Sequence, residues 1–233
     1  MIFCLHVRPE DPVGILRYIN GVFCASVDNY DLTIKGHSAH GAYPQVSIDP
    51  IVVGAEVVNA LQTVVSRRIE PRKAPVVTVA TFTANGGYNT IPETAHLAGT
   101  VRTHDNGVRA RVPELMEQTI AGVCAAFGAG YDIKWINGYP VGVNDDQASA
   151  VALDAIRANL PEVVLTELPA LYSGEDFAYY AEKIPGCSLF LGTAYADDKN
   201  PAGLHNPKFR VDERALQLGL GIHIAIIRHL LMA

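Results

Sequence analysis

The chain has 233 residues, of which 49% are hydrophobic and 18% charged, and a formal net charge of −6. That length can bury a core in one large domain or two smaller ones, and the composition excludes a disordered chain. Eighteen Lys and Arg against twenty-four Asp and Glu, with no basic stripe among them, argue against a nucleic-acid partner.

In chain order, the apolar run Ile2-Phe3-Cys4-Leu5 predicts a strand that delivers His6 to its end, ahead of the turn residues Pro9, Pro12 and Gly14. The opening residues lack the basic and long apolar segments of a signal peptide, and the apolar runs elsewhere fall short of a membrane span. Leu32 and Ile34 suggest a short strand that enters a loop holding His37 and His40, with a turn between Pro44 and Pro50. Apolar residues at Val53, Val57, Leu61 and Val64 recur at helical spacing over 51–69, with Arg67 and Arg68 at the carboxyl end. The β-branched runs 76–83 and 95–103 read as strands on either side of Asn85-Gly86-Gly87. Helical spacing returns over 108–127, where Pro113 suggests the start of the regular helix, and 131–136 alternates as a strand.

From Tyr30 to about Asn137 the order is therefore strand, helix, strand, strand, helix, strand, the ferredoxin-like α+β arrangement. Beyond Pro140 the pattern predicts a helix over 147–159, a short strand near Val163, a helix over 175–182, a strand over 187–192 and a terminal helix over 213–231. Helices alternating with short strands mark an α/β layer. The expected organisation is an α/β domain of residues 1–28 and 141–233 interrupted by an α+β domain of residues 29–140. Because residues 1–28 supply roughly one strand, the outer domain is expected to be incomplete at its amino terminus.

Several polar residues sit where chemistry is commonly placed. His205 lies in the loop Gly203-Leu204-His205-Asn206-Pro207, and His40 lies among the small residues of Gly36-His37-Ser38-Ala39-His40-Gly41. Asn89 opens Asn89-Thr90-Ile91-Pro92, and Arg102 ends Gly99-Thr100-Val101-Arg102. In Ser173-Gly174-Glu175-Asp176-Phe177, Ser173 reads as an N-cap followed by acidic first-turn residues, or Glu175 as a carboxylate in a cleft. The four cysteines, Cys4, Cys24, Cys124 and Cys187, lie far apart and read as small buried residues of a reducing compartment. No phosphate-binding glycine loop, serine elbow or H-E-x-x-H helix occurs.

Taken together, these segments resemble the amidohydrolase branch of the aminoacylase and carboxypeptidase-type metallopeptidases, which includes hippurate hydrolase and auxin-conjugate hydrolases. The resemblance runs from Cys4-Leu5-His6-Val7-Arg8-Pro9 to His205-Asn206-Pro207-Lys208-Phe209. It implies a catalytic α/β domain holding two divalent metal ions, Zn, Mn, Co or Ni, interrupted by a ferredoxin-like lid and dimerisation domain. It implies that His6 and His205 are metal ligands, that the catalytic His40 polarises the scissile carbonyl, and that Asn89 and Arg102 bind the substrate, with Glu175 nearby. It also implies that the family's bridging Asp, its Cys-and-His pair and its Glu-Glu pair belong to an upstream segment that this chain lacks. The expectation is therefore a cytoplasmic homodimeric hydrolase of N-acyl amino acids, with no nucleic-acid or membrane partner, and inactive as this chain alone. A dipeptidase or carboxypeptidase of the same superfamily, or a non-catalytic dimer that binds small carboxylates, is the alternative.

Overall fold

In the computed structural model, which describes residues 1–232, the chain opens with three strands rather than one: β1 (Ile2–Pro12), β2 (Ile15–Tyr18) and β3 (Val22–Cys24). Gly14 at φ 101° and Gly21 at φ 67° make the tight reversals between them, a backbone that a side chain would strain. Pro9 does not end β1, which runs on to Pro12, because it is the edge strand of a sheet ordered β1-β12-β2-β11, and an edge tolerates a missing N–H. His6 therefore lies in mid-strand, not at a strand end.

The chain then passes through β4 (Ser26–Lys35), β5 (Ala39–His40), α1 (Pro50–Arg67), β6 (Val76–Ala84), β7 (Thr90–Ile91), β8 (Thr94–Thr103), α2 (Asn106–Phe127) and β9 (Gly130–Asn137). Strands β6, β8, β4 and β9 make one sheet in that order, antiparallel throughout. Tyr30, Leu32 and Ile34 alternate along β4 and pack with Leu97, with Val57 and Leu61 of α1 and with Met116 and Ile120 of α2. Both helices thus cover one face. Asp105 caps α2 by accepting from the Val108 N–H at 2.9 Å, so the helix starts at Asn106 and encloses Pro113 instead of beginning there.

The remaining elements are β10 (Gly142–Val143), paired with β3, then α3 (Asp146–Asn159), β11 (Val164–Glu167), α4 (Phe177–Ala181), β12 (Gly186–Ala194) and α5 (Arg214–Met232). Strand β12 is buried along its whole length, parallel to β1 and antiparallel to β2. Leu16, Ile156, Leu189, Ile222 and Ile226 form the core between this sheet and helices α3 and α5, and Phe23, Phe177 and Phe190 form a second cluster with α4. Helix α4 is shorter than expected, and Ser173 does not cap it: Asp176 holds the N-cap position without a side-chain bond. Just upstream, a Cβ on Gly174 would come within 2.2 Å of Val27 Cγ2, a close approach that only glycine permits.

The chain divides into two units. The outer one comprises residues 1–24, 142–171 and the stretch from Glu175 on, and the inserted one comprises residues 25–141 and 172–174. The first boundary precedes residue 28 because Ser26, Val27 and Asp28 already pair with Thr103, Arg102 and Val101. Helix α5, with a mean hydropathy of 1.5 over its most apolar window, is long and apolar enough, by length and composition, to cross a membrane. His223, Arg228 and His229 interrupt the apolar run, and the window average stays high in spite of them. Its inner residues Ala215, Gly219, Ile222 and Ile226 are buried in the outer unit, while only 22% of its apolar window is buried in all.

Candidate functional site

In the outer unit the structure brings His6 and Glu175 together, although 169 positions separate them in sequence. Strand β1 places His6 opposite Phe190, with the two ring centroids 6.0 Å apart. His6 Nδ1 lies 2.7 Å from the Val7 carbonyl oxygen. A carbonyl only accepts, so Nδ1 carries the proton and the lone pair is left on Nε2. That nitrogen faces Glu175 Oε2 at 3.6 Å, too long for a hydrogen bond. Two electron-pair donors held at this separation suit a shared cation, since ligands bound at about 2.0–2.2 Å to one ion stand about this far apart.

A divalent ion needs more than two protein donors, and among the described residues no three His, Cys, Asp or Glu side chains converge. The donors present therefore do not complete a metal site, and His205 does not join His6 and Glu175. His205 has a φ of 63°, the only positive value outside glycine among the described residues. Its exposed turn is fixed by the Asn206 carboxamide, which accepts from the Lys208 N–H at 2.9 Å. Cys4, two residues before His6 on the same strand face, is no thiolate donor. Burial and the nearby Glu175 charge push its thiol up. Burial likewise raises Cys24 and Cys187 to about 11.

Residues His40 and Asn89 come together in the inserted unit, on the ribbon of β5 and β7, where His40 pairs with Thr90. Gly41 donates its N–H to the Asn89 carbonyl at 2.7 Å, and a Cβ there would meet the Asn89 backbone at 3.3 Å. His40 Nδ1 accepts from the Ala42 N–H at 3.1 Å, so the ring's exposed Nε2 bears the proton and points a donor outward. The Asn89 Oδ1 accepts from the Thr90 hydroxyl at 3.4 Å, which leaves its NH2 as a second donor. The ribbon thus offers two neutral hydrogen-bond donors and no base.

Arg102 is not part of this group. It lies eight residues along β8 from Thr94, about 26 Å at strand rise, at the far end from the ribbon. There its Nη1 donates to the Tyr172 carbonyl at 3.2 Å. Tyr172 was not singled out from sequence. Its return to the inserted unit depends on a chain crossing that carries no local signal.

Residues 2–229 match the model of peptidase family M20/M25/M40. An N-acetylcysteine deacetylase of Bacillus subtilis (strain 168) is 37% identical over 216 residues, which are 92% of this chain and 55% of that protein. Thermostable carboxypeptidase 2 of Saccharolobus solfataricus is 30% identical over 223 residues, 95% of this chain and 56% of that one. A solved Bacillus subtilis structure, described as a dinuclear metal binding peptidase from the M20 family, superposes with a TM-score of 0.79 at 30% identity, covering 99% of this chain and 56% of that chain. The chain spans about half the length of the curated relatives it matches. With its sequence matched from end to end in this way, the chain belongs to peptidase family M20/M25/M40.

Proposed function

We propose that the whole enzyme to which these residues belong hydrolyses the amide bond of N-acyl amino acids. The observation that carries this reading is the His6–Glu175 pair, with Nδ1 of His6 locked as a donor and Nε2 turned on a carboxylate. The name of the 37% identical relative, an N-acetylcysteine deacetylase, supports the same chemistry. In this reading His6 and His205 serve divalent metal, two ions in the whole enzyme, drawn from Zn, Mn, Co or Ni. The described residues do not assemble that site, and this chain alone is expected to turn over no substrate.

What these residues do is bind and polarise. His40 Nε2–H and the Asn89 NH2 donate to the carbonyl oxygen as negative charge develops on it, and Arg102 pairs with the amino acid's carboxylate. Water adds to the carbonyl carbon, the C–N bond breaks, and the amine leaves with a proton while the acid retains the new oxygen. A substrate the size of an acylated amino acid cannot reach across about 26 Å, so His40 and Arg102 of one copy do not share a molecule. A homodimer through the inserted unit resolves this by letting each copy complete the other's site.

Strand β6 suits such pairing, since Val76–Ala84 is an edge strand without a charged residue, whereas the opposite edge, β9, carries Asp132 and Lys134. A cytoplasmic location goes with the widely spaced, unpaired cysteines. The second reading, a carboxypeptidase, draws on the 30% identical relative of that name and differs only in the amide cleaved.

The test is a chimera that joins to this chain the part of the Bacillus subtilis deacetylase it does not match, assayed with hippurate, N-acetyl amino acids and short peptides. His6→Ala should abolish turnover, and His40→Ala should slow it by about ten-fold to a thousand-fold. Arg102→Ala should weaken free-acid substrates and spare their esters. Unchanged turnover in His6→Ala would sink the reading, and faster cleavage of peptides than of acyl amino acids would favour the second one.

A further inference from the structure

We propose that a polar cavity of about 160 Å3 in the inserted unit binds a small, flat carboxylate. Its walls are Arg72 and Lys73 from the turn before β6, Thr103, His104 and Asp105 from the turn before α2, and Tyr172. None of these belongs to the His40–Asn89 ribbon or to the His6–Glu175 pair.

Charge decides the sign of the ligand. The one carboxylate facing the cavity, Asp105, is already satisfied: it takes Lys73 Nζ at 2.8 Å and the Val108 N–H at 2.9 Å as the cap of α2. Lys73 is neutralised by the same contact. Arg72 makes no ion pair or hydrogen bond among the described residues, so an uncompensated guanidinium, a planar fork suited to carboxylate, remains on the wall. The amino-terminal end of the 22-residue α2 opens beside it and adds to the positive potential.

Shape decides the rest of the ligand. The rings of His104 and Tyr172 stand 4.4 Å apart at 52° and give the cavity an aromatic wall. Arg102 holds that wall in place through the Tyr172 carbonyl. A cavity of about 150 Å3 accepts a molecule of benzene's size, so one ring or a similar flat group bearing a carboxylate fills the space. Binding there does not depend on amide hydrolysis and needs no metal.

The experiment titrates benzoate into the 233-residue chain, free of divalent metal, and follows the ring signals of His104 and Tyr172 by NMR. Saturable shifts of both rings are expected, with benzamide, the uncharged analogue, binding at least about ten-fold more weakly. Arg72→Gln, an exposed change that leaves the packing intact, should weaken benzoate by a similar factor and leave benzamide unaltered. Tyr172→Leu should weaken both. Equal affinity for benzamide, benzoate binding unaltered in Arg72→Gln, tighter binding of inorganic phosphate than of benzoate, or the absence of saturable shifts would each overturn the proposal.

Discussion

The two units use the same materials and dispose of their apolar surface differently. In the inserted unit, one cluster running from Tyr30 to Cys124 joins a four-stranded sheet to two helices. The outer unit also has a four-stranded sheet, but its core is divided between two smaller clusters, one on each face of β12. Its terminal helix also leaves a stripe in water: Leu216, Leu220, Ile227 and Leu231 are 69%, 63%, 54% and 82% exposed. Their spacings of four, seven and four residues put all of them on one side of α5, away from the buried Gly219, Ile222 and Ile226. Each unit also buries one carboxylate against arginine, Asp28 with Arg109 in the inserted unit and Asp11 with Arg17 and Arg8 in the outer one, but the inserted unit backs that contact with a single core and the outer unit with a divided one, which makes the outer unit the more dependent on it.

The largest expected effect tests that dependence. Asp11, only 6% exposed, accepts from Arg17 Nε at 2.8 Å, Arg17 Nη2 at 2.6 Å and Arg8 Nε at 2.8 Å, and so fixes the turn from β1 into β2. Asp11→Ala removes the anion that Arg17 and Arg8 share and leaves only Arg8 with another carboxylate near it, Glu10 at 3.9 Å, at a cost of about 4 kcal/mol. The Arg17 hydrogen bonds and charge, with help from Arg8, hold the Asp11 carboxyl below its ordinary 3.8. A lowered folded value means that the carboxylate stabilises the fold fully above that ordinary value and that this stability is lost as pH falls through the folded one. Amide exchange measured from pH 6 downward should therefore show the outer unit opening first in acid. If the inserted unit opens first, the outer unit does not depend on this cluster.

Leu61→Ala makes the complementary test in the inserted unit. Leu61 is fully buried on α1 within the single core. Its truncation should cost about 3 kcal/mol in urea unfolding, from lost burial plus the cavity left behind. A cost below about 1 kcal/mol would mean that this core relaxes around the gap and is not the tight single cluster it resembles.

The difference between the units also explains what the sequence made legible. In the inserted unit α1, α2, β6 and β8 stand out because β-branched alternation and helical spacing there each run for eight residues or more, long enough to dominate local accident. The outer unit's short strands, β2, β3 and β10, have no such length, and their positions follow from pairing with distant partners such as Val164–Glu167 and Gly142. Pro9 and Pro12 look like breakers, and only the knowledge that β1 is an edge would have kept His6 in mid-strand. Candidate site residues were found by their chemistry and loop setting, but their grouping was not readable. His40 meets Asn89, and His6 meets Glu175, through tertiary pairing alone. The separation of Arg102 from His40 follows from strand length, which the sequence did contain.

Leu220→Lys should have the smallest effect on stability and the sharpest bearing on the comparison. The side chain is 63% exposed, so replacing it removes little apolar area from a packed setting. Leucine and lysine have nearly equal helix propensities, so α5 itself should not weaken. The change in unfolding free energy should stay within about 0.5 kcal/mol, as for surface substitutions generally. What should change is adhesion: four large apolar side chains on one helix face form a patch of the kind that draws other surfaces, and a charge at its centre disrupts it. Sedimentation at increasing concentration should then show less self-association for Leu220→Lys than for the unaltered chain, while Leu61→Ala, though far less stable, should not differ in this respect below its unfolding midpoint. If Leu220→Lys instead costs as much as Leu61→Ala, the stripe is packed in the folded molecule, and the two units manage their apolar surface alike.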